Sequence, residues 1–296
     1  MLLRIIHRTR SVYARPVTES HHQVRLMPLT DEDQSCLQFH LTTQPLARVR
    51  SFSTPSGNTH HFNIRSPHRQ LEITAESLVE TRRDNPFEGL NLVTDDWSFY
   101  AEDVFQDYAE FLAPTRLVPA HPESARIARV ARRKAGASVA SFAITLTRLL
   151  SHLLTYAPGA TSTHTRLDEF LQNRRGVCQD FAHLMLAVCR SQRIPCRYVS
   201  GYVYSPPAEA PTHAEQATHA WVECLLPGGV WRGFDPTNDL LANARYVKAH
   251  WGRDYADAAP TCGVYRGAAD QRLQVEVKVE AVPHPVHEPI SLDLTH

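Results

Sequence analysis

The sequence predicts an α+β protein, with an all-β, sandwich-like first part and a mixed second part. Three observations carry that prediction. Apolar residues alternate with a period of two through about the first 85 positions. From about residue 95 to 193 the apolar spacing becomes helical. After Ile194-Pro195 the composition returns to strand. Residues 1–85 and 86–296 are therefore the expected units, within the 296 residues that suit one large or two ordinary domains.

In the first unit, the stretch from Leu3 to Tyr13 begins mixed and then alternates. His22–Met27, Cys36–Leu41 and Leu71–Ala75 alternate more cleanly. Pro16, Pro28, Pro45 and Pro55-Ser56-Gly57-Asn58 separate them as turns, a spacing that suits a small sandwich or barrel. The pairs His21-His22 and His60-His61 read as surface or turn residues. Neighbours on a strand face opposite ways, so neither pair readily holds one metal.

Residues 80–95 are polar and rich in breakers, as a linker would be. Asp95 or Asp96 can cap a helix through Trp97, Tyr100, Ala101, Val104, Phe105, Tyr108 and Phe111-Leu112, ended by Pro114. A second helix starts at His121-Pro122-Glu123-Ser124. Its group Arg126, Arg129, Arg132, Arg133 and Lys134 reads as a solvated face near a helix C-terminus. Ser138–Tyr156 is a third helix, and Thr165 is placed to cap a short fourth over Arg166–Leu171. A helix then opens at Cys178 and ends near Arg193, apolar on nearly every side and so central. Cys196–Tyr204 is a strand, followed by a Pro-rich loop from Pro206 to Thr212. His219–Leu225 and Val230–Phe234 form a hairpin about Pro227-Gly228-Gly229. Leu273–Val279 is the last clear strand, and the tail past Pro283 reads as loose.

Lys plus Arg and Asp plus Glu both number 31, so bulk electrostatics favour neither nucleic acid nor an anionic membrane as partner. A hydrophobic fraction of 43% supports a proper core. Met1–Arg8 meets charge after three residues and lacks the apolar stretch of a signal peptide. No apolar run approaches the ~18 residues of a membrane-spanning helix. The six cysteines include no CxxC pair and fit free thiols in a reducing cytosol, which makes the expected location cytoplasmic.

Chemistry concentrates around Gly176-Val177-Cys178-Gln179-Asp180-Phe181-Ala182-His183. Cys178 opens its helix, where free backbone N–H groups and the positive end of the macrodipole favour the nucleophilic thiolate. His219 and Asp235 follow in the chain, and Cys, His and Asp are the parts of a thiol acyl-transfer triad. If the hairpin centres on Pro227-Gly228-Gly229, the residue opposite His219 falls at about 236–239, and Asp235 sits within reach at ~5–8 Å between neighbouring positions. The carboxylate would fix the imidazole tautomer, and the Cys178 N–H would serve as one oxyanion donor. Each residue also has a plain reading: a packed thiol, a half-buried strand His, an Asp-Pro-Thr turn. Asp180 reads as a first-turn carboxylate serving the helix, and His183, five residues past Cys178, lies off its face.

Those blocks, with Arg193–Tyr202, His219-Ala220-Trp221-Val222-Glu223 and Phe234–Asn238, resemble the core of the bacterial transglutaminase-like superfamily. Gly252-Arg253-Asp254-Tyr255, with Asp257, Pro260 and Gly263-Val264-Tyr265, is similar to the block that follows that core. Tyr13, Pro16-Val17, Ser20, Val24-Arg25-Leu26, Pro28 and Gly57-Asn58 resemble the β-rich region that precedes it. Where that region carries an acidic residue before Gly-Asn, this chain has Ser53-Thr54-Pro55-Ser56. The resemblance implies a papain-like α+β cysteine-enzyme core in residues 86–296, with Cys178 as nucleophile, His219 as base and Asp235 as orienter. It implies chemistry through a thioester acyl-enzyme.

The expected activity is therefore thiol-dependent hydrolysis of amide or peptide bonds in a peptide or protein substrate, with no cofactor and no metal. Two alternatives stand beside it: transfer of a glutamine acyl group to an amine, and a non-catalytic peptide-binding or partner-binding module on the same fold. No acidic loop of the kind a calcium site needs is present.

Overall fold

The computed structural model describes residues 1–100, 102–206, 218–267 and 270–283. Its strands are β1 (Leu2–Val17), β2 (Glu19–Val24), β3 (Gln34–Gln44), β4 (Arg50–Thr54), β5 (Gly57–Ile64) and β6 (His68–Thr81) in the first part. A helical region follows: α1 (Glu102–Asp107), α2 (Ala109–Leu112), α3 (Pro122–Lys134) and α4 (Val139–Leu153). Then come β7 (Thr155–Tyr156), α5 (Leu167–Asn173), β8 (Arg175–Gly176) and α6 (Cys178–Ser191). The remainder is β9 (Cys196–Val203), β10 (His219–Leu226), β11 (Val230–Asp235), β12 (Leu240–Leu241), β13 (Tyr246–Gly252), α7 (Tyr255–Ala258), β14 (Thr261–Arg266) and β15 (Gln271–Ala281).

The expected α+β class is the observed one. One sheet runs β15-β1-β6-β3, so the last strand closes on the first, with Leu3 opposite Ala281 and Tyr13 opposite Gln271. Alternation explains β1: Leu3, Ile5 and Tyr13 point inward, while Arg4 and Arg8 face water and meet Glu76 and Glu72. The larger sheet runs β12-β11-β10-β9-β13-β5-β2-β14, with β4 beside β5. Its two halves meet where His250 of β13 faces Gly57 of β5. Gly57 has φ 137°, and a Cβ there would strike the His250 ring and the Ala249 carbonyl. The turn before it, Ser53–Ser56, is held by hydroxyls: Ser53 Oγ donates to Asn58 Oδ1 at 2.6 Å and Thr54 Oγ1 to the Gly57 carbonyl at 2.9 Å.

Helix α6 is the centre of the main core. Every residue from Gln179 to Cys189 is buried, enclosed by α3, α4, β9 and β10. Ser138 caps α4 through the Ser141 N–H at 3.1 Å, and the helix stops at Leu153, short of the expected Tyr156, where Thr155–Tyr156 form β7.

Several expectations require correction. Thr165 does not cap α5; its hydroxyl accepts from Ser162 N, and the N-cap is Arg166 with no side-chain cap bond. The single helix expected over 97–112 is a 3-10 turn at Trp97–Tyr100 followed by α1 and α2. Tyr108 and Phe111 pack on the Trp231 ring, at 6.0 and 5.3 Å between centroids, and that packing outweighs helical continuity. Ala101, the Pro-rich stretch from Pro207 to Thr212 and the tail past Pro283 lie outside the described residues. Strands β4 and β5 were not expected. His60 is buried against Phe39, and His22 stacks on Phe62, so neither is the surface or turn residue its pair suggested. Arg132 of the cationic group lies over the Trp97 ring at 3.6 Å, and Arg126 pairs with Glu123.

Candidate active site

Cys178 is the first residue of α6 and is half-buried. The approach to it is shaped by Gly176, where any side chain would run into the Asp180 carboxylate and the Phe170 ring. Asp180 Oδ2 accepts the Val177 N–H at 2.8 Å and the Thr161 hydroxyl at 2.6 Å. Burial pushes its carboxyl up, against the pull of those two donors. Asp180 thus serves the helix start, as its position suggested. His183 is buried, its Nε2 accepts the Tyr255 N–H at 3.2 Å, and desolvation pushes it down to about 4. It is a neutral structural contact away from the thiol.

His219 begins β10 and is 2% exposed; Asp235 ends β11 and is 0% exposed. The hairpin register pairs Leu226 with Val230 and Val222 with Phe234. Continued three residues beyond Val222, it puts 237 opposite His219 and leaves Asp235 one diagonal step away. His219 Nε2 meets Asp235 Oδ2 at 2.7 Å. The Cys178 side chain is close enough to the same imidazole to help raise it. With Nε2 engaged by the carboxylate, Nδ1 is the nitrogen left for the thiol. The three residues singled out from sequence are thus brought together around one ring.

The carboxylate is held by more than the histidine. Tyr246 Oη donates to Asp235 Oδ2 at 2.8 Å and Asn238 Nδ2 at 2.7 Å. Oδ1 accepts the Thr237 N–H at 2.9 Å and the Asn238 N–H at 3.3 Å, the Asx turn that Asp-Pro-Thr predisposes. Burial alone would push His219 down; the Asp235 charge, its hydrogen bond and the Cys178 contact outweigh that and raise it. Burial would raise Asp235, but the His219 charge and the donors from His219, Asn238 and Tyr246 pull it down. Both directions describe an imidazolium–carboxylate pair inside the protein.

Tyr246 was not found from sequence. It stands on β13, an ordinary strand position with no motif to mark it. Tyr156, Tyr198 and Tyr255 lie near the thiol, and each phenol is pushed up, chiefly by burial. Trp221 and Tyr202 are fully buried core residues.

Residues 126–236 match the transglutaminase-like superfamily, and residues 3–80 match the bacterial transglutaminase-like N-terminal region. An uncharacterized Mycobacterium leprae protein is 36% identical over 286 residues, covering 93% of this chain and 98% of its own length. An uncharacterized Mycobacterium tuberculosis protein is 32% identical over 296 residues, covering 95% and 92%. A crystal structure from Cytophaga hutchinsonii, provisionally named a cysteine protease, shares the fold with a TM-score of 0.68 at 23% identity, over 96% of this chain and 93% of that one. With the half-buried thiol at a helix start and the hairpin beside it, these matches place the chain in the transglutaminase-like superfamily, in the form that carries the bacterial N-terminal region.

Proposed function

We propose that the protein is a thiol-dependent hydrolase of amide or peptide bonds in a peptide or protein. The observation that supports this most is the buried His219 ring, bound by Asp235 through Nε2 at 2.7 Å and raised by that carboxylate and by the nearby Cys178 thiol. In this reading the Cys178 thiol passes its proton to His219, and the thiolate attacks the acyl carbon. The carbonyl oxygen becomes an oxyanion, which the Cys178 N–H at the helix start can stabilise. His219 returns the proton to the leaving amine, and a thioester remains on Cys178. A water then gives its proton to His219 as its oxygen attacks the thioester. The acid departs and the proton returns to the thiolate. Asp235 stabilises the imidazolium throughout and stays ionised.

All six cysteines are free thiols, which suits a cytoplasmic, reducing setting for such an enzyme. They also supply controls. Cys262 is exposed, Cys36 is pushed up to about 11 chiefly by burial, and Cys189, Cys196 and Cys224 are buried. Limiting iodoacetamide at about pH 6, read by peptide mapping, should modify Cys178 first, because an ordinary thiol is almost fully protonated there. His219→Ala should slow that modification at least tenfold. A Cys178 no more reactive than Cys262 would overturn the proposal and favour a binding module. Where Cys178 is reactive, peptide turnover with and without added amine then identifies the acyl acceptor.

A further inference from the structure

The outer face of β4, β5, β2 and β14 carries a concavity of about 520 Å³, lined by cations that no part of the proposed chemistry uses. Arg50, His61, Gln23 and Cys262 form one row straight across the four strands, by the pairings Arg50–His61, His61–Gln23 and Gln23–Cys262. Asn63, His21 and Val264 form the next row. Arg48 flanks the first row, and Arg65 follows β5.

Several exposed arginines of this chain are matched by carboxylates, such as Arg4 by Glu76 and Arg253 by Asp257. Among the described residues, Arg48, Arg50 and Arg65 have no such partner. Glu19, at the start of β2, is taken by His21 at 3.1 Å. A guanidinium presents a planar fork suited to a carboxylate or phosphate. Three of them around one concavity, on a chain of zero net charge, mark a local anion site and not a general polyanion surface.

Spacing narrows the ligand. Arg65 lies four residues along β5 from the position opposite Arg50, roughly 13 Å at 3.3 Å per residue. The first row spans three strand gaps, about 14 Å. Backbone positions spread this widely suit an extended chain with several carboxylates. The floor also includes the exposed Val264, which offers apolar contact between the charges. The site adjoins the thiol centre along the chain: β14 follows α7, whose Tyr255 N–H is bound by His183 of α6. The Tyr255 phenol feels both the Cys262 and the Cys178 thiols.

We propose that this concavity is a docking site for an acidic segment of a peptide, outside the catalytic centre and selecting which peptides reach it. The proposal rests on the peptide-directed reading given above. Its test is binding, separated from turnover. In the full chain carrying Cys178→Ser, a fluorescein-labelled peptide rich in Asp and Glu should bind, as read by anisotropy, with affinity that falls as salt rises. The Gln/Asn counterpart should not bind. The triple variant Arg48→Gln, Arg50→Gln, Arg65→Gln should bind the acidic peptide at least tenfold more weakly, with an unchanged melting temperature. Arg50→Glu alone should weaken it several-fold. Equal binding by the triple variant, or equal binding of the neutral peptide, overturns the inference. So does displacement by tripolyphosphate or a single-stranded oligonucleotide at lower concentration than by unlabelled acidic peptide. Acidic-peptide binding that depends on the arginines, with an inert Cys178, would leave the docking site standing and remove the hydrolase reading. A reactive Cys178 with binding indifferent to the arginines would do the reverse.

Discussion

Glu223→Gln is the substitution whose cost the structure fixes best. Glu223 is 3% exposed on β10. Its Oε2 meets the Arg197 guanidinium at 2.6 Å, and its Oε1 meets Lys248 Nζ at 3.2 Å. Burial would raise its carboxyl, but Lys248 and Arg197 pull it down from 4.5 to about 2. At about 1.4 kcal/mol for each tenfold, that corresponds to roughly 3 kcal/mol of stability that requires the charge. Breaking a buried pair from one side costs about 3–5 kcal/mol. The lower end applies, because Lys248 keeps Asp31 at 2.6 Å and Arg197 keeps its place against Trp231 and Trp251. Urea unfolding should therefore show a loss of about 3 kcal/mol at neutral pH. By calorimetry that is a drop of roughly 6–9 °C, at about 2–3 °C per kcal/mol for a chain of this size. The sign with pH follows from the depressed value: the contribution is complete above the unfolded value near 4.5 and is lost as pH falls toward about 2. The gap between wild type and variant should close over that interval. A loss under about 1 kcal/mol at neutral pH, or a gap that ignores pH, would refute the reasoning.

Other perturbations follow from the same geometry. Tyr246→Phe removes one of the donors to Asp235 Oδ2 and should cost about 1.5–3 kcal/mol by urea unfolding, the range for a hydrogen bond to a charged group. Asp235→Asn removes the charge that raises His219, so Cys178 alkylation near pH 6 should fall at least tenfold. Because the folded His219 is raised and the folded Asp235 lowered, the stability cost of Asp235→Asn should be greatest between about pH 4 and 6.5 and should shrink as pH climbs above that window. Gly201→Ala, opposite His219 on β9, drives a Cβ into the Val247 carbonyl and the Trp221 ring; a melting-temperature scan should register a loss of about 3 kcal/mol or outright misfolding.

What could be read in the sequence was whatever a short stretch of chain decides. Helix α6 declared itself because burial on every side leaves no polar face to disguise it. The proximity of His219 to Asp235 followed from a tight hairpin, where the turn alone sets the register. Strands β4 and β5 escaped because serine, threonine and histidine fill positions where alternation would otherwise show; His60 is buried but reads as polar. The closure of β15 onto β1 joins the two ends of the described chain, and no local pattern selects that partner. The same limit hid Tyr246 and the Lys248 network, which gathers Asp31, Asp33 and Glu223 from distant segments. The local motif thus names the groups that touch the thiol. The nonlocal contacts fix the surroundings: Tyr246, one strand beyond β9, holds the carboxylate, and Lys248 joins the β9–β10 pair to the loop before β3. Truncating either element should therefore disturb His219 although neither touches Cys178, and the pH profile of Cys178 alkylation is where that disturbance would be seen.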